Sequence, residues 1–337
     1  MSDGSLLDHT LEDLASGKRR RQAAAHEALM QMAEGSVWKD DLVLRLPALF
    51  SHPSAQVRGT AYLALATATG KDALPLLQEH LDEGEADARL DLAQALAALG
   101  EPARGLLQRL VKDEIFEVRF AAAGGLVPLG DPAAADVLLE ALGHSDVRYL
   151  ALSALQRLAD PRALAPTRKL FAKRFLSAYE RIAAAGVLAR LGDPQGRDWL
   201  VERIARRKGA DRGLAIEVAG EQKLREAVGP LKEALGDRRD QFRGACARVL
   251  GMMGDPGLRE PLEALLFDTT EEVETRMDAA EGLMNLGTPE AREALERALG
   301  ETNDEELREV VREALAQLGG GPEDGEPSAE PRPGAGE

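Results

Sequence analysis

One arginine returns nine times along this chain, and its register leaves few folds open. It stands at Arg58, Arg89, Arg119, Arg148, Arg181, Arg212, Arg243, Arg276 and Arg308. Seven residues after each comes Leu65, Leu96, Leu126, Leu155, Leu188, Ala219, Leu250, Leu283 and Leu315, so eight of the nine are leucine. Three residues after each, the side chain is small at Ala61, Ala122, Ala151, Ala184, Ala215, Cys246 and Ala279. Offsets of three, seven and ten fall on one stripe of an α-helix. A narrow apolar stripe with a small member suits a helix packed closely on a neighbour of its own kind.

A second signal has the same period. Gly100-Glu101-Pro102, Gly130-Asp131-Pro132, Ala159-Asp160-Pro161, Gly192-Asp193-Pro194, Gly254-Asp255-Pro256 and Gly287-Thr288-Pro289 each follow an apolar residue. Degenerate copies stand at Gly70-Lys71-Asp72 and Gly220-Glu221-Gln222, and the intervals run from 28 to 34 residues. Glycine can end a helix in the left-handed conformation. Aspartate or threonine caps the next helix by accepting from its free N–H groups. Proline fits the first helical position, where no donor is required. Each tripeptide therefore stops one helix and starts the next. Apolar-periodic stretches such as Val137–Leu142 precede each arginine helix. The unit is helix A, a loop, helix B and the turn. Counting from Ser5 gives ten units, and the first carries Gln22 in place of the arginine, as suits an irregular end repeat.

The turn Leu-Gly-Asp-Pro and the run Val118-Arg119-Phe120-Ala121-Ala122-Ala123 resemble the HEAT-like repeats named after phycobilisome lyases. The resemblance covers residues 5–319. It implies an all-α fold, a right-handed α–α superhelix of about ten helical hairpins, with the B helices lining its concave face. It also implies that the arginines form a structural ladder between neighbouring repeats. An arginine near a helix N-terminus opposes the helix dipole, so an acidic partner is expected. Acids stand two residues upstream at Asp87, Glu117, Asp146, Glu274 and Glu306.

The remaining composition bounds function. Aromatics are 4% of residues, so the core is built from Ala and Leu. The charge is −16, from 42 basic and 58 acidic side chains, which as a whole-body effect disfavours nucleic acid and anionic membranes. Cys246 is the one cysteine, so no internal disulfide forms. No secretion-signal pattern and no membrane-length apolar run are present, and the expected location is cytoplasmic. Residues 1–319 are expected to form the solenoid. Residues 320–337, rich in Gly, Pro and Glu, have no Leu, Ile, Val or aromatic residue and are expected to form a disordered tail.

Catalytic patterns are thin. His9, His26, His52, His80 and His144 share no metal-ligand spacing. HEAT-like deoxyhypusine hydroxylases carry several His-Glu pairs as iron ligands, whereas only His26-Glu27 matches here. Cys246 falls at a core position and is expected to be an inert thiol. No catalytic residue, metal or cofactor is assigned.

Charge is uneven. Residues 160–212 hold 13 basic and 6 acidic side chains, and residues 255–319 hold 6 and 18. Arg168, Lys169, Lys173 and Arg174 are read on one A helix, and Arg203, Arg206, Arg207 and Lys208 on the next, with Arg203, Arg206 and Arg207 on one face. On the B helices, positions five and nine after the arginine include Arg157, Arg190, Glu217, Arg248, Glu281 and Glu313. Tyr149 could supply an aromatic anchor. These residues mark the expected docking surface of a non-catalytic protein-binding scaffold, for an acidic or phosphorylated partner. The family resemblance implies one enzymatic alternative, a lyase-type subunit that handles a bilin chromophore. A nucleic-acid binder of the HEAT-like DNA glycosylase type is disfavoured by the net charge.

Overall fold

The structure, a computed structural model, describes residues 3–83, 86–206, 208–209, 211–254 and 256–319. It is built from paired helices, and no strand occurs among the described residues. The chain divides into two compact units, 1–174 and 175–337. The tail assigned to 320–337 lies outside the described residues.

Unit 1 contains α1 (Asp3–Ala15), α2 (Arg19–Glu34), α3 (Lys39–Arg45), α4 (Ala55–Thr69), α5 (Leu74–Glu83), α6 (Ala86–Leu99), α7 (Arg104–Leu110), α8 (Phe116–Leu126), α9 (Ala135–Ala141), α10 (Arg148–Leu158) and α11 (Leu164–Phe171). From α1 to α9 the odd-numbered A helices pack against the even-numbered B helices that follow, and α2, α4, α6 and α8 pack in sequence. Unit 2 contains α12 (Ala178–Arg190), α13 (Pro194–Ala205), α14 (Arg212–Glu221), α15 (Val228–Gly236), α16 (Arg243–Met252), α17 (Arg259–Phe267), α18 (Val273–Leu286), α19 (Pro289–Glu301) and α20 (Glu305–Gly319). Its B helices α12, α14, α16, α18 and α20 likewise pack each on the next. In both units the interior is the seam between these layers, as expected of stacked repeats.

The arginine register explains why the seam closes. The small residue three positions on is 0% exposed at Ala61, Ala122, Ala151, Ala184, Ala215, Cys246 and Ala279. The leucines seven positions on are buried from Leu65 to Leu283, and each contributes about 1.5–3 kcal/mol by leaving water. Leu315 on α20 is half-exposed. No later repeat among the described residues is there to cover it.

The turns use the chemistry of their tripeptides. Gly100, Gly130, Gly192, Gly254 and Gly287 have φ between 64° and 79°, and Ala159 takes the same left-handed region at 55°. Asp131, Asp160, Asp193 and Thr288 each accept from the backbone N–H two or three residues on. After Pro132 and Pro161 the chain first makes a 3₁₀ turn and only then the α-helix, whereas α13 and α19 begin at their prolines.

Candidate functional site

The register arginines do two jobs that the sequence does not separate. Each sits in the first turn of a B helix, and at several of them the guanidinium reaches back to carbonyls at the end of the preceding A helix. Arg148 donates to Leu142 O at 2.8 Å, Arg212 to Ile204 O at 2.7 Å, Arg276 to Leu266 O at 2.9 Å and Arg308 to Thr302 O at 2.6 Å. A cation at the negative end of helix A is favourable, by up to about 2 kcal/mol when partly buried. Gln22 in the end repeat does the same with its amide, donating to Leu14 O at 3.1 Å. The second job is ionic. Arg58 holds Asp91 at 2.8 Å, Arg89 holds Asp113 at 2.7 Å, Arg119 holds Glu140 at 2.7 Å and Arg212 holds Asp240 at 2.7 Å. Arg243 pairs with Glu271.

These acceptors correct the expected partners. Arg119 and Arg276 do not bond Glu117 or Glu274, and Arg308 pairs with Glu305 instead of Glu306. A residue two positions upstream on a helix points some 200° away. The carboxylates of Asp91, Asp113, Glu140, Asp240 and Glu271 come instead from the following repeat, 21 to 33 residues on.

The residues read as a docking surface are divided between the two units. In unit 1, Tyr149 is 38% exposed on α10, and its neighbour Leu150 is 56% exposed. Arg157 is exposed one turn further on the same helix face as Ser153. Arg168 and Lys169 are exposed in the last turn of α11, but Lys173 and Arg174 lie beyond that helix. In unit 2, Arg190 is exposed at the end of α12. Helix α13 stops at Ala205 because Arg206 turns extended, with ψ 98°, so Arg206 does not continue the helix face that carries Arg203. Arg203 is turned inward. Its Nε bonds Asp211 at 2.9 Å, its Nη1 bonds Lys208 O at 3.0 Å, and its side chain is 14% exposed. Arg206 pairs with Glu202, and Lys208 is exposed. Arg207 lies outside the described residues.

A family model of HEAT repeats matches residues 84–159, 198–274 and 228–316, more than half of the chain. The chain belongs to the HEAT-repeat family. Solved structures with similar HEAT-like architecture include human deoxyhypusine hydroxylase in complex with glycerol. That match has 20% identity over 76% of this chain and 99% of the other, with a TM-score of 0.33. The CpcE–CpcF complex of phycocyanin lyase from Nostoc matches at 19% identity over 64% and 94%, with a TM-score of 0.41. The karyopherin Kap121p bound to the extreme C-terminus of the phosphatase Cdc14p matches at 14% identity, with a TM-score of 0.47. This chain is covered to 94% but spans under half of the karyopherin, 46%. No curated protein matches by sequence. These likenesses are of the helical fold and assign no activity.

Sequence reasoning missed one cluster in these HEAT repeats. Arg248 on α16 grips both oxygens of Glu217 on α14, at 2.7 and 3.1 Å. Its Nε lies 3.3 Å from Asp278 and 3.4 Å from Glu281, both on α18. One guanidinium thus ties three successive B helices and is not free for an acidic partner. Burial pushes the carboxyls of Asp278 and Glu281 above the usual range, and Arg248 offsets this only in part. Glu217, Arg248 and Glu281 share the fifth position after their arginines. That column was the available signal, and the opposed charges in it are what mark a bond. Among the described residues no group of three His, Cys, Asp or Glu side chains is placed to hold a metal, and no helix is long and apolar enough to cross a membrane. Cys246 is fully buried against the seam, and burial raises its thiol to about 12.

Proposed function

We propose that this HEAT-repeat chain is a non-catalytic cytoplasmic binding scaffold that takes a protein partner on the exposed side of its B helices. The observation that carries the reading is on α10. The register arginines are consumed inside the stack, yet Tyr149, Leu150 and Arg157 remain exposed on that one helix. Tyr149, Ser153 and Arg157 recur at intervals of four, which keeps them on one side. An aromatic ring beside a guanidinium is the combination that dominates protein interfaces. Among the described residues Arg157 makes no ion pair, so it is available to a carboxylate or phosphate, which it can grip in bidentate fashion. Lys169 on α11 and Arg190 on α12 are further exposed cations, one in each unit. On this reading residues 1–319 are the binding body and 320–337 a solubilising tail.

The test is affinity capture from native lysate with the full chain and with a Tyr149→Ala/Arg157→Glu variant. The reading expects one dominant partner, retained by the wild type and lost from the folded variant. Equal retention by both would remove α10 from the interface. Retention unchanged by phosphatase treatment, and by blocking carboxylates on the partner, would rule out an acidic or phosphorylated one.

A further inference from the structure

Unit 1 contains a cleft of about 460 Å³ where α2, α4 and α6 meet, with no residue of α10 in its lining. His26, Gln56, Gly59, Thr60, Asp91 and Gln94 line it. Asp91 is the floor, with 8% of the residue exposed. Arg58 occupies only one of its oxygens, taking Oδ2 through Nε and Nη2 at 2.8 Å each. The other oxygen, Oδ1, receives no hydrogen bond from the described residues. Thr60 and His26 use each other, with 2.9 Å between Oγ1 and Nδ1. Gln56 and Gln94 are exposed at the rim, two residues before Arg58 and five residues after Arg89. A side chain built at Gly59 would meet nothing within 4 Å, so the entrance is open. Burial raises the Asp91 carboxyl despite Arg58 beside it. Arg58 thus satisfies one carboxylate oxygen and leaves the other without a donor among the described residues.

We propose that this cleft binds a primary ammonium group, as carried by a lysine side chain of a partner protein. An ammonium has three N–H donors and no acceptor. The cleft supplies three accepting oxygens: Asp91 Oδ1 at the floor and the amide oxygens of Gln56 and Gln94 at the rim. The charge has a partly buried carboxylate to meet, where a charge-assisted bond is stronger than at the surface. The methylene stem of a lysine would leave past Gly59 and the small side chains of Ala55 and Ala95. The site is separate from the α10 surface and stands without it.

The test uses the full chain and n-butylammonium chloride at constant ionic strength, followed by the imidazole NMR signals. The chain has five histidines, so each is resolvable. The His26 signal is expected to shift and saturate while the other four stay still. Gln94→Leu and Asp91→Asn are each expected to weaken binding by about tenfold, the loss of one charged hydrogen bond. Tetramethylammonium, of equal charge but without N–H donors, is expected to leave His26 unmoved. The assignment is overturned if tetramethylammonium gives the same shift, if the shift does not saturate, or if Gln94→Leu binds like the wild type. Should Asp91→Asn unfold by circular dichroism, the exposed Gln94→Leu decides alone.

Discussion

Arg212 meets both carboxylate oxygens of Asp240, at 2.7 and 2.8 Å, and each side chain is only 2% exposed. The pair joins one repeat to the next inside unit 2, and the same guanidinium caps α13 through Ile204 O. A charge left alone there would have no water to turn to. Arg212→Met is therefore expected to cost about 3–5 kcal/mol, because Asp240 is stranded. The double variant Arg212→Met/Asp240→Leu should recover much of that loss. Urea unfolding of the three proteins checks it. A single-variant cost near that of an exposed pair, below about 1 kcal/mol, would contradict the buried role.

The Arg248 cluster sets a pH dependence. Asp278 and Glu281 have carboxyls raised by burial in the folded chain. Relative to the unfolded chain, such groups favour folding when protonated, and that contribution fades as pH rises through their folded values. Asp160 and Asp211 behave oppositely. Hydrogen bonds from Arg162 and Arg203 hold them below the ordinary range, so their contribution is lost only in stronger acid. Acidification toward the ordinary carboxylate range is expected to add stability through Asp278 and Glu281. The variant Asp278→Asn/Glu281→Gln should flatten that slope in a melting series. An unchanged slope would exclude both residues as its source.

Adjacent glycines on α8 give opposite forecasts. A Cβ at Gly125 would stand 2.8 Å from Ala97 Cβ and 3.1 Å from its Cα. The helices would have to part, so Gly125→Ala is expected to cost about 1–3 kcal/mol. At Gly124 the same atom meets nothing within 4 Å. Gly124→Ala should instead stabilise by about 0.5–1 kcal/mol through helix propensity. Thermal melts of the two variants in parallel separate packing from backbone entropy.

Cys246 should be unreactive in the native chain. Its thiol is fully buried and raised to about 12, so almost no thiolate exists near pH 8. Alkylation by iodoacetamide is expected only as the chain unfolds. Rapid labelling of the folded protein, read by mass spectrometry, would count against the packing of α16 described above.

Much of this fold is legible in the residue order. A leucine seven places after an arginine names the buried stripe, and Gly130-Asp131-Pro132 states its turn chemistry outright, because capping and turn preferences act over two or three residues. The candidate sites are less legible. Whether Arg203 is a free cation depends on Asp211, which sits across a loop whose course helical spacing does not encode. The acids two residues upstream of the arginines looked like partners because they are near in sequence. The true ones, such as Glu140 for Arg119, arrive from a separate hairpin. The Asp91 cleft likewise depends on three B helices meeting.

Because the carboxylate that satisfies Arg212 is encoded 28 residues later, synthesis and completion are out of step. As the polypeptide leaves the ribosome, α13 and α14 can pair and cap one another, but the guanidinium waits for its counter-ion until Asp240 emerges. Each nascent hairpin is thus provisional until its successor arrives. A fragment ended at a turn that such a pair bridges inherits an unmatched cation at its cut face, so trimming this array from its C-terminal side should expose a different weakness at each of those boundaries.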